Sequence, residues 1–138
     1  CGAGLLPASL VEQVPVINAH PGLIPAVRGL DAFLWAIHDG QPLGVSLHKL
    51  DADIDAGEHL ISRRTKVRPG DDIFDLSARH YQNEIDLMIG FQQYLGKPDK
   101  PLVDPTPRPP RKRMPADLAR ETVARFPNYA KKFAWPDQ

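Results

Sequence analysis

The chain has 138 residues, the size of one ordinary domain, and its 42% hydrophobic and 25% charged residues are typical of a protein with a packed core. The formal net charge of +0 gives no indication of a nucleic-acid or membrane-surface partner, and no apolar run has the roughly 18 residues that a membrane span requires. The only cysteine, Cys1, excludes an internal disulfide, which is typical of a reducing compartment, so we expect a cytoplasmic protein.

The first residues, CGAGLLP, are typical of a buried strand end that runs into a turn. A strand end needs a strand body, so we expect that an N-terminal part of the domain lies outside this chain; a processed or engineered start is the alternative. PASLVEQVP then predicts a helix, because Pro7 suits a first turn and Leu10 and Val14 recur at i and i+4. Pro15 ends this helix.

The next elements are a strand and a helix. The short β-branched run VIN, residues 16–18, predicts a buried strand. GLDAFLWAIHDG predicts a helix with Asp31 as its N-cap, a wide apolar stripe and Gly40 at the C′ position. GVSLHKL alternates with period two, and EHLISRRTKV has the composition of a second strand, so the two predict a hairpin around the acidic loop DADIDAG.

RPGDD predicts a turn into a long helix capped by Asp71 or Asp72. We expect this helix to run from about Ile73 to Leu95 and to be closed by Gly96. Its inner positions would include Leu76, His80, Ile85, Met88, Ile89 and Phe91.

Composition changes at Lys97. Seven of the 15 prolines fall between Pro98 and Pro115, which predicts an extended, partly polyproline segment rather than a packed one. Two short amphipathic helices, able to dock on a body or a partner, are predicted in MPADLARETVARF and NYAKKFAW. The basic cluster RPPRKR is interpreted as a solvated linker, with a phosphate or RNA contact as the alternative; its charges are Arg108, Arg111, Lys112 and Arg113.

Asn18 and His20 carry the strongest chemical indication. Residues i and i+2 of an extended segment point to the same side, and at the carboxyl end of a strand in an α/β sheet that side opens onto the ligand crevice. An amide can donate to a carbonyl oxygen, and an imidazole can stabilise an oxyanion or move a proton near neutral pH. Spacing alone equally fits a turn-forming Asn and a hydrogen-bonded core His.

The acidic loop adds carboxylates about 35 residues later, at Asp51, Asp53 and Asp55. A carboxylate beside an imidazole raises the imidazole pKa and can relay a proton through water. An Asn, a His and an Asp in one crevice would suit acyl transfer, whereas the alternative is a solvated hairpin tip.

INAHPGLIP, VRG, LDAFLWAIHDG, GVSLHKL and DADIDAGEHL follow one another in an order that resembles the folate-dependent formyltransferases. That family includes glycinamide ribonucleotide, methionyl-tRNA and sugar N-formyltransferases and formyltetrahydrofolate deformylase. The resemblance covers residues 1–95 and implies an α/β fold: the C-terminal half of a doubly wound, Rossmann-like sheet, with a β-hairpin, a long helix and a Pro-rich helical tail. Residues 1–96 would form a partial catalytic domain, and residues 97–138 a linker and short helical extension.

The resemblance implies roles for individual residues. Asn18 and His20 would bind the formyl oxygen and the oxyanion of a tetrahedral intermediate, and Asp55 would order a water or accept the amine proton. The formyl donor would be 10-formyltetrahydrofolate, with a pterin site formed by Gly4, Leu5 and Leu6 on one side and Asp51, Ala52, Asp53 and Ile54 on the other. Arg28 and His48 would be weaker substrate contacts, although a packing role for His48 is an equal alternative.

The implied function is formyl transfer to a primary amine of a nucleotide, a sugar, an aminoacyl-tRNA or another small molecule. Hydrolysis of the donor and a non-catalytic folate-binding fragment are the alternatives. The chain has no phosphate-binding glycine motif, so we expect that acceptor binding depends on a missing N-terminal half. No metal is expected, because His38, His59 and His80 lack metal-ligand spacing. A membrane partner is not expected, a nucleic-acid partner other than a tRNA acceptor is disfavoured, and a homodimer is left open.

Overall fold

The computed structural model describes residues 6–50 and 57–135. Three strands form its sheet: β1 (Ile17–His20), β2 (Gly44–Lys49) and β3 (His59–Arg64). The helices are α1 (Ala8–Val11), α2 (Ala32–His38), α3 (Ile73–Ile89), α4 (Ala116–Ala124) and α5 (Phe126–Phe133), and a 3₁₀ turn covers Phe91–Tyr94. In these described ranges no helix is both long and apolar enough to cross a membrane.

The sheet is antiparallel throughout the described strands, in the order β1-β2-β3. The predicted hairpin is confirmed, because β2 pairs with β3 across the acidic loop. On its other edge β2 pairs with β1, with Asn18 opposite His48 and His20 opposite Ser46. Together with the helices around it, this sheet forms a partial α/β domain with a hairpin, a long helix and a helical tail, as predicted.

The central strand β2 is buried along most of its length, so its polar side chains need partners inside the protein. Ser46 Oγ accepts a hydrogen bond from Ile24 N at 3.0 Å and lies 2.7 Å from Ser62 Oγ on β3. Its other buried polar residue, His48, contacts β1. The polar groups of β2 therefore join the strands to each other and to the turn after β1.

Helix α2 begins at the predicted N-cap, but not with the predicted capping bond. Asp31 has a left-handed backbone (φ 51°) and makes no side-chain bond to the first turn; its Oδ2 accepts instead from Met114 N at 2.9 Å. The other end is as predicted. Gly40 (φ 60°) donates to Ile37 O and Gln41 donates to Ala36 O, a Schellman arrangement that requires the left-handed conformation.

Helix α3 has Asp72 as its N-cap in a capping box with Asp75, whereas Asp71 forms a two-pronged ion pair with Arg79. The prediction that the helix extends to Leu95 was wrong. It ends at Ile89, because a glycine interior to a helix costs about 1 kcal/mol and the chain tightens into a 3₁₀ turn after Gly90.

The inner face of α3 was predicted in part. The buried positions are Leu76, His80 and Leu87. Ile85 and Phe91 are half-buried, and Met88 and Ile89 are exposed, which contradicts their predicted inner positions. The two exposed residues directly follow Leu87, and at 100° per residue they are turned away from its buried side.

The Pro-rich segment of the tail is extended and mostly exposed, as predicted, but it is hydrogen-bonded to the body at several points. Backbone bonds connect Asp99 N to Leu60 O, Arg108 N to Pro25 O and Leu30 N to Arg111 O. The two predicted helices, α4 and α5, do dock on the body. One core cluster joins α5 to α2, α3 and the turn after β1, and its buried members are Val27, Ala32, Ala36, Ile37, Leu43, Val67, Leu76, Phe126 and Tyr129. The division at residue 96 into two units stays a prediction.

Candidate active site

Asn18, His20 and His48 lie together on one face of the β1–β2 pair, and we call them the amide–imidazole cluster. Asn18 Nδ2 donates to His48 Nε2 at 3.2 Å across the strand pair. The rings of His20 and His48 meet edge to face, with centroids 6.3 Å apart. Because Asn18 and His20 both contact the same imidazole, the i, i+2 spacing does bring them to one side of the strand.

The bond to His48 orients the Asn18 amide. Since the amide nitrogen donates, His48 Nε2 accepts, and the ring proton of His48 lies on Nδ1. An amide nitrogen carries two hydrogens, so this bond leaves a second one for another acceptor. His48 is fully buried while Asn18 is half-buried. Asn18 is therefore the member of the pair that can reach a ligand, and His48 lies behind it.

His20 is held by the turn that follows it. Its Nε2 donates to Val27 O at 3.0 Å, which places the ring proton on Nε2 and makes Nδ1 the basic nitrogen. A Cβ at Gly22 would lie 2.8 Å from both His20 Nε2 and Val27 O. The backbone at Gly22 thus closes directly over the imidazole, and only glycine fits there without displacing it.

The imidazole of His80, on α3, is also hydrogen-bonded to the turn that holds His20. His80 Nε2 donates to Pro21 O at 3.2 Å, and its Nδ1 lies 2.8 Å from Thr65 Oγ1. Burial lowers the pKa of His80 to about 4, so the ring is neutral at pH 7. His80 was predicted as an inner helix position and not as a site residue, although a polar residue within an otherwise apolar buried stripe is a signal of a specific partner.

The remaining predicted site residues either lie away from the amide–imidazole cluster or fall outside the described residues. Leu6 is exposed, and Arg28 Nη1 donates to Arg108 O at 3.2 Å in the tail. The other predicted contacts lie outside the described residues: Gly4, Leu5, Asp51, Ala52, Asp53, Ile54 and the predicted catalytic Asp55. The approach of Asp55 to the cluster and the pterin site therefore stay predictions, as does substrate contact by Arg28 and His48.

A cleft of about 200 Å³ lies between the tail and the body, and none of the predicted site residues that the structure describes lines it; its lining is Ala26, Gln41, Val103, Asp104, Thr106 and Arg108. Within the part of the chain that the structure describes, no group of three or more His, Cys, Asp or Glu side chains is arranged to hold a metal ion. The amide–imidazole cluster is thus the candidate site.

Comparison with known proteins gives consistent matches. The sequence model of the formyl transferase family matches residues 3–91, more than half of the chain. Methionyl-tRNA formyltransferase from Solibacter usitatus is 31% identical over 88 residues, which is 62% of this chain and 28% of that protein. The dTDP-4-amino-4,6-dideoxyglucose formyltransferase from Mycobacterium tuberculosis is 32% identical over 83 residues, 60% of this chain and 36% of that protein.

A solved structure with the same fold is that of the formyltransferase PseJ from Anoxybacillus kamchatkensis, in complex with UDP-4,6-dideoxy-4-formamido-L-AltNAc and tetrahydrofolate. It is 25% identical, with a TM-score of 0.61, and the match covers 66% of this chain and 49% of PseJ. The chain spans about a third of the length of the two sequence relatives named above.

Proposed function

Because the chain belongs to the formyl transferase family, we propose that the protein transfers a formyl group from 10-formyltetrahydrofolate to a primary amine. The observation that carries the proposal is the amide–imidazole cluster, in which one buried histidine orients Asn18 beside His20. The donor and the amine are both substrates, so the protein's own contribution is to bind, polarise and move protons.

Asn18 acts on the formyl oxygen. The second N–H of its amide donates to that oxygen, and this hydrogen bond becomes stronger as the carbonyl becomes an oxyanion. The hydrogen bond from Asn18 to His48 fixes the amide before the substrate arrives, which supports preorganisation. His48 is fully buried, so in this proposal it orients Asn18 while Asn18 touches the substrate.

Asp55 transfers protons in this reaction, and His20 stabilises the oxyanion. The amine nitrogen forms a bond to the formyl carbon, and the carbonyl electron pair moves to the oxygen. The oxyanion then collapses, the bond from the formyl carbon to the folate nitrogen breaks, and that nitrogen leaves with the proton that the amine lost, which Asp55 returns through the water. Asp55, through an ordered water, accepts the proton that the amine loses, and His20, when it is protonated on both ring nitrogens, donates from Nδ1 to the oxyanion.

The substrate class follows from the relatives. The two sequence relatives are named for methionyl-tRNA and for an amino sugar nucleotide, and PseJ was solved with tetrahydrofolate and a formamido sugar nucleotide. What these acceptors share is an amine, free or formylated, and the folate is found in the PseJ complex. This supports a folate-type donor and a primary amine acceptor, without favouring one acceptor over the other.

The test is a transfer assay with a donor labelled at the formyl carbon. The complete protein is incubated with the labelled donor and a panel of amines that includes aminoacyl-tRNA, amino sugar nucleotides and glycinamide ribonucleotide. Label is expected in the formamide of at least one acceptor. Release of the label as formate at a rate that no acceptor changes would instead identify a hydrolase.

A further inference from the structure

We propose that His80 is a positioning residue for formyl transfer, because it fixes the Pro21 carbonyl and thereby the turn that holds the His20 imidazole. This inference rests on the proposed function. His80 lies on α3, which packs against β1 and β2 but supplies none of the residues of the amide–imidazole cluster.

The hydrogen bonds around His80 have one consistent direction. A carbonyl oxygen can only accept, so His80 Nε2 carries the proton that bonds Pro21 O. In the neutral ring Nδ1 is then an acceptor, and the Thr65 hydroxyl donates to it at 2.8 Å. Thr65 Oγ1 in turn accepts from Asn83 Nδ2 at 3.1 Å. Asn83 and Thr65 thus select the ring form of His80 that can donate to Pro21.

The path from Pro21 to the reacting groups is short. Pro21 directly follows His20, and its ring restricts the backbone at that point. The next residue, Gly22, lies against His20 Nε2 and Val27 O. A shift of the Pro21 carbonyl therefore moves Gly22 relative to the imidazole and disturbs the hydrogen bond from His20 to Val27.

The surroundings of His80 hold its ring still. The side chain is 3% exposed, and the Phe33 ring of α2 lies 5.1 Å from it, centroid to centroid. Its Thr65 partner, the residue directly after β3, is also buried. The Phe33 contact from α2 and the Thr65 hydrogen bond to Nδ1 thus hold the ring in place while Nε2 bonds Pro21 O, which is the geometry of a support for the turn.

Two substitutions separate positioning from packing. In His80→Gln the side-chain amide nitrogen takes the place of Nε2 and keeps the bond to Pro21 O. In His80→Asn the amide oxygen takes the place of Nδ1, which keeps the bond from Thr65 and loses the one to Pro21. Both are measured in the complete protein, with Leu87→Ala, a buried residue of the same helix, as the control for loss of packing alone.

His80→Asn is expected to lower kcat about tenfold to hundredfold, the cost of a small misplacement of reacting groups, with little change in the KM of the donor. His80→Gln should retain most of the kcat, even where the two variants melt at the same temperature. The ring carbon and nitrogen NMR shifts of His20 should move in His80→Asn and stay near those of the wild type in His80→Gln and Leu87→Ala.

Equal losses of kcat in both variants that follow the melting temperature, with unmoved His20 resonances, would overturn the inference. If His80→Asn does not fold, Thr65→Val and Thr65→Ser replace it: valine removes the donor to His80 Nδ1, and serine restores it. A wild-type protein that transfers no formyl group would refute the proposed function only, because the His20 resonances report positioning without turnover.

Discussion

Two polar regions of this protein contrast in how their side chains are used. In the amide–imidazole cluster, Asn18 meets His48 across neighbouring strands in register. In the tail junction, which we define as the contacts of α2 and its flanking Asp31 and Asp39 with residues 111–114, the partners are more than 70 residues apart in sequence.

The tail junction uses its polar groups for internal contacts. Trp35 Nε1 donates to Lys112 O at 2.9 Å, and the Arg111 guanidinium lies 4.4 Å from the Trp35 ring while its Nη2 donates to Asp39 at 2.8 Å. Asp31 accepts from the Met114 backbone. The cluster, by contrast, includes an amide with a further hydrogen that it can donate to a ligand. A polar cluster points to chemistry when its contacts leave such capacity.

The largest expected effect is the loss of formyl transfer when Asn18, His20 or the predicted catalytic Asp55 is replaced. Asn18→Ala should lower kcat by about 10²- to 10³-fold, the usual cost of removing one oxyanion donor, and His20→Ala or Asp55→Ala by about 10²- to 10⁴-fold. His38→Ala removes an exposed imidazole from α2 and should leave the rate unchanged. Rates are measured at saturating donor. A near-normal rate in Asn18→Ala, His20→Ala or Asp55→Ala would contradict that residue's role.

The next largest effect concerns folding. Phe126 of α5 is 4% exposed and belongs to the core cluster, so Phe126→Ala should lower the free energy of unfolding by about 3–5 kcal/mol. Val123 of α4, 42% exposed, is the matched control, and Val123→Ala should cost well under 1 kcal/mol. Urea unfolding measures both. Equal small losses would mean that the tail contributes little to the core, as a linker would.

Sequence reasoning succeeded where the determinants are local. The alternation of GVSLHKL predicted β2, the two-residue spacing of Asn18 and His20 predicted their common side, and Gly40 predicted the end of α2. Each of these depends on the backbone geometry of a few consecutive residues. The resemblance to the formyltransferases similarly depended on short segments in a fixed order.

Sequence reasoning failed where a residue's contact partner is distant in the sequence. Nothing near Asp31 shows that its carboxylate accepts from Met114 rather than capping α2, and nothing near Arg111 shows that it stacks on Trp35. The support of Pro21 by His80 joins residues 59 positions apart. A composition rich in proline and arginine predicts solvation, but a backbone that lacks N–H groups can still dock through its carbonyls and through the residues between the prolines.

A smaller effect is expected on the pH dependence of stability. Burial lowers the pKa of His80 from 6.5 to about 4, so the folded protein binds this proton less readily than the unfolded chain. The contribution is fully present at neutral pH and is lost as the pH falls from about 6.5 towards 4. Between pH 7 and pH 5 the free energy of unfolding should drop by about 2 kcal/mol on account of His80.

His80→Gln isolates that contribution. The variant should lack this part of the acid sensitivity, while neighbouring Glu84, whose pKa burial raises, acts with the opposite sign in both proteins and cancels in the difference. Urea titrations at several pH values measure it. Parallel curves for wild type and variant between pH 7 and pH 5 would mean that His80 is not buried as a neutral ring.

The smallest effect separates the tail junction from a solvated basic linker. Arg111→Ala removes an exposed ion pair and a cation–π contact, each worth about 0.5–1 kcal/mol, so unfolding should become easier by about 1 kcal/mol. Arg113→Ala, two residues along and also exposed, should change it by less than about 0.5 kcal/mol. Arg111→Lys should recover only part of the loss, because an ammonium keeps the charge beside Asp39 but cannot stack on Trp35 as the planar guanidinium does. If all three variants unfold alike, the basic cluster is a solvated linker after all, and the distinction between the two regions depends on the core contacts of α5 alone.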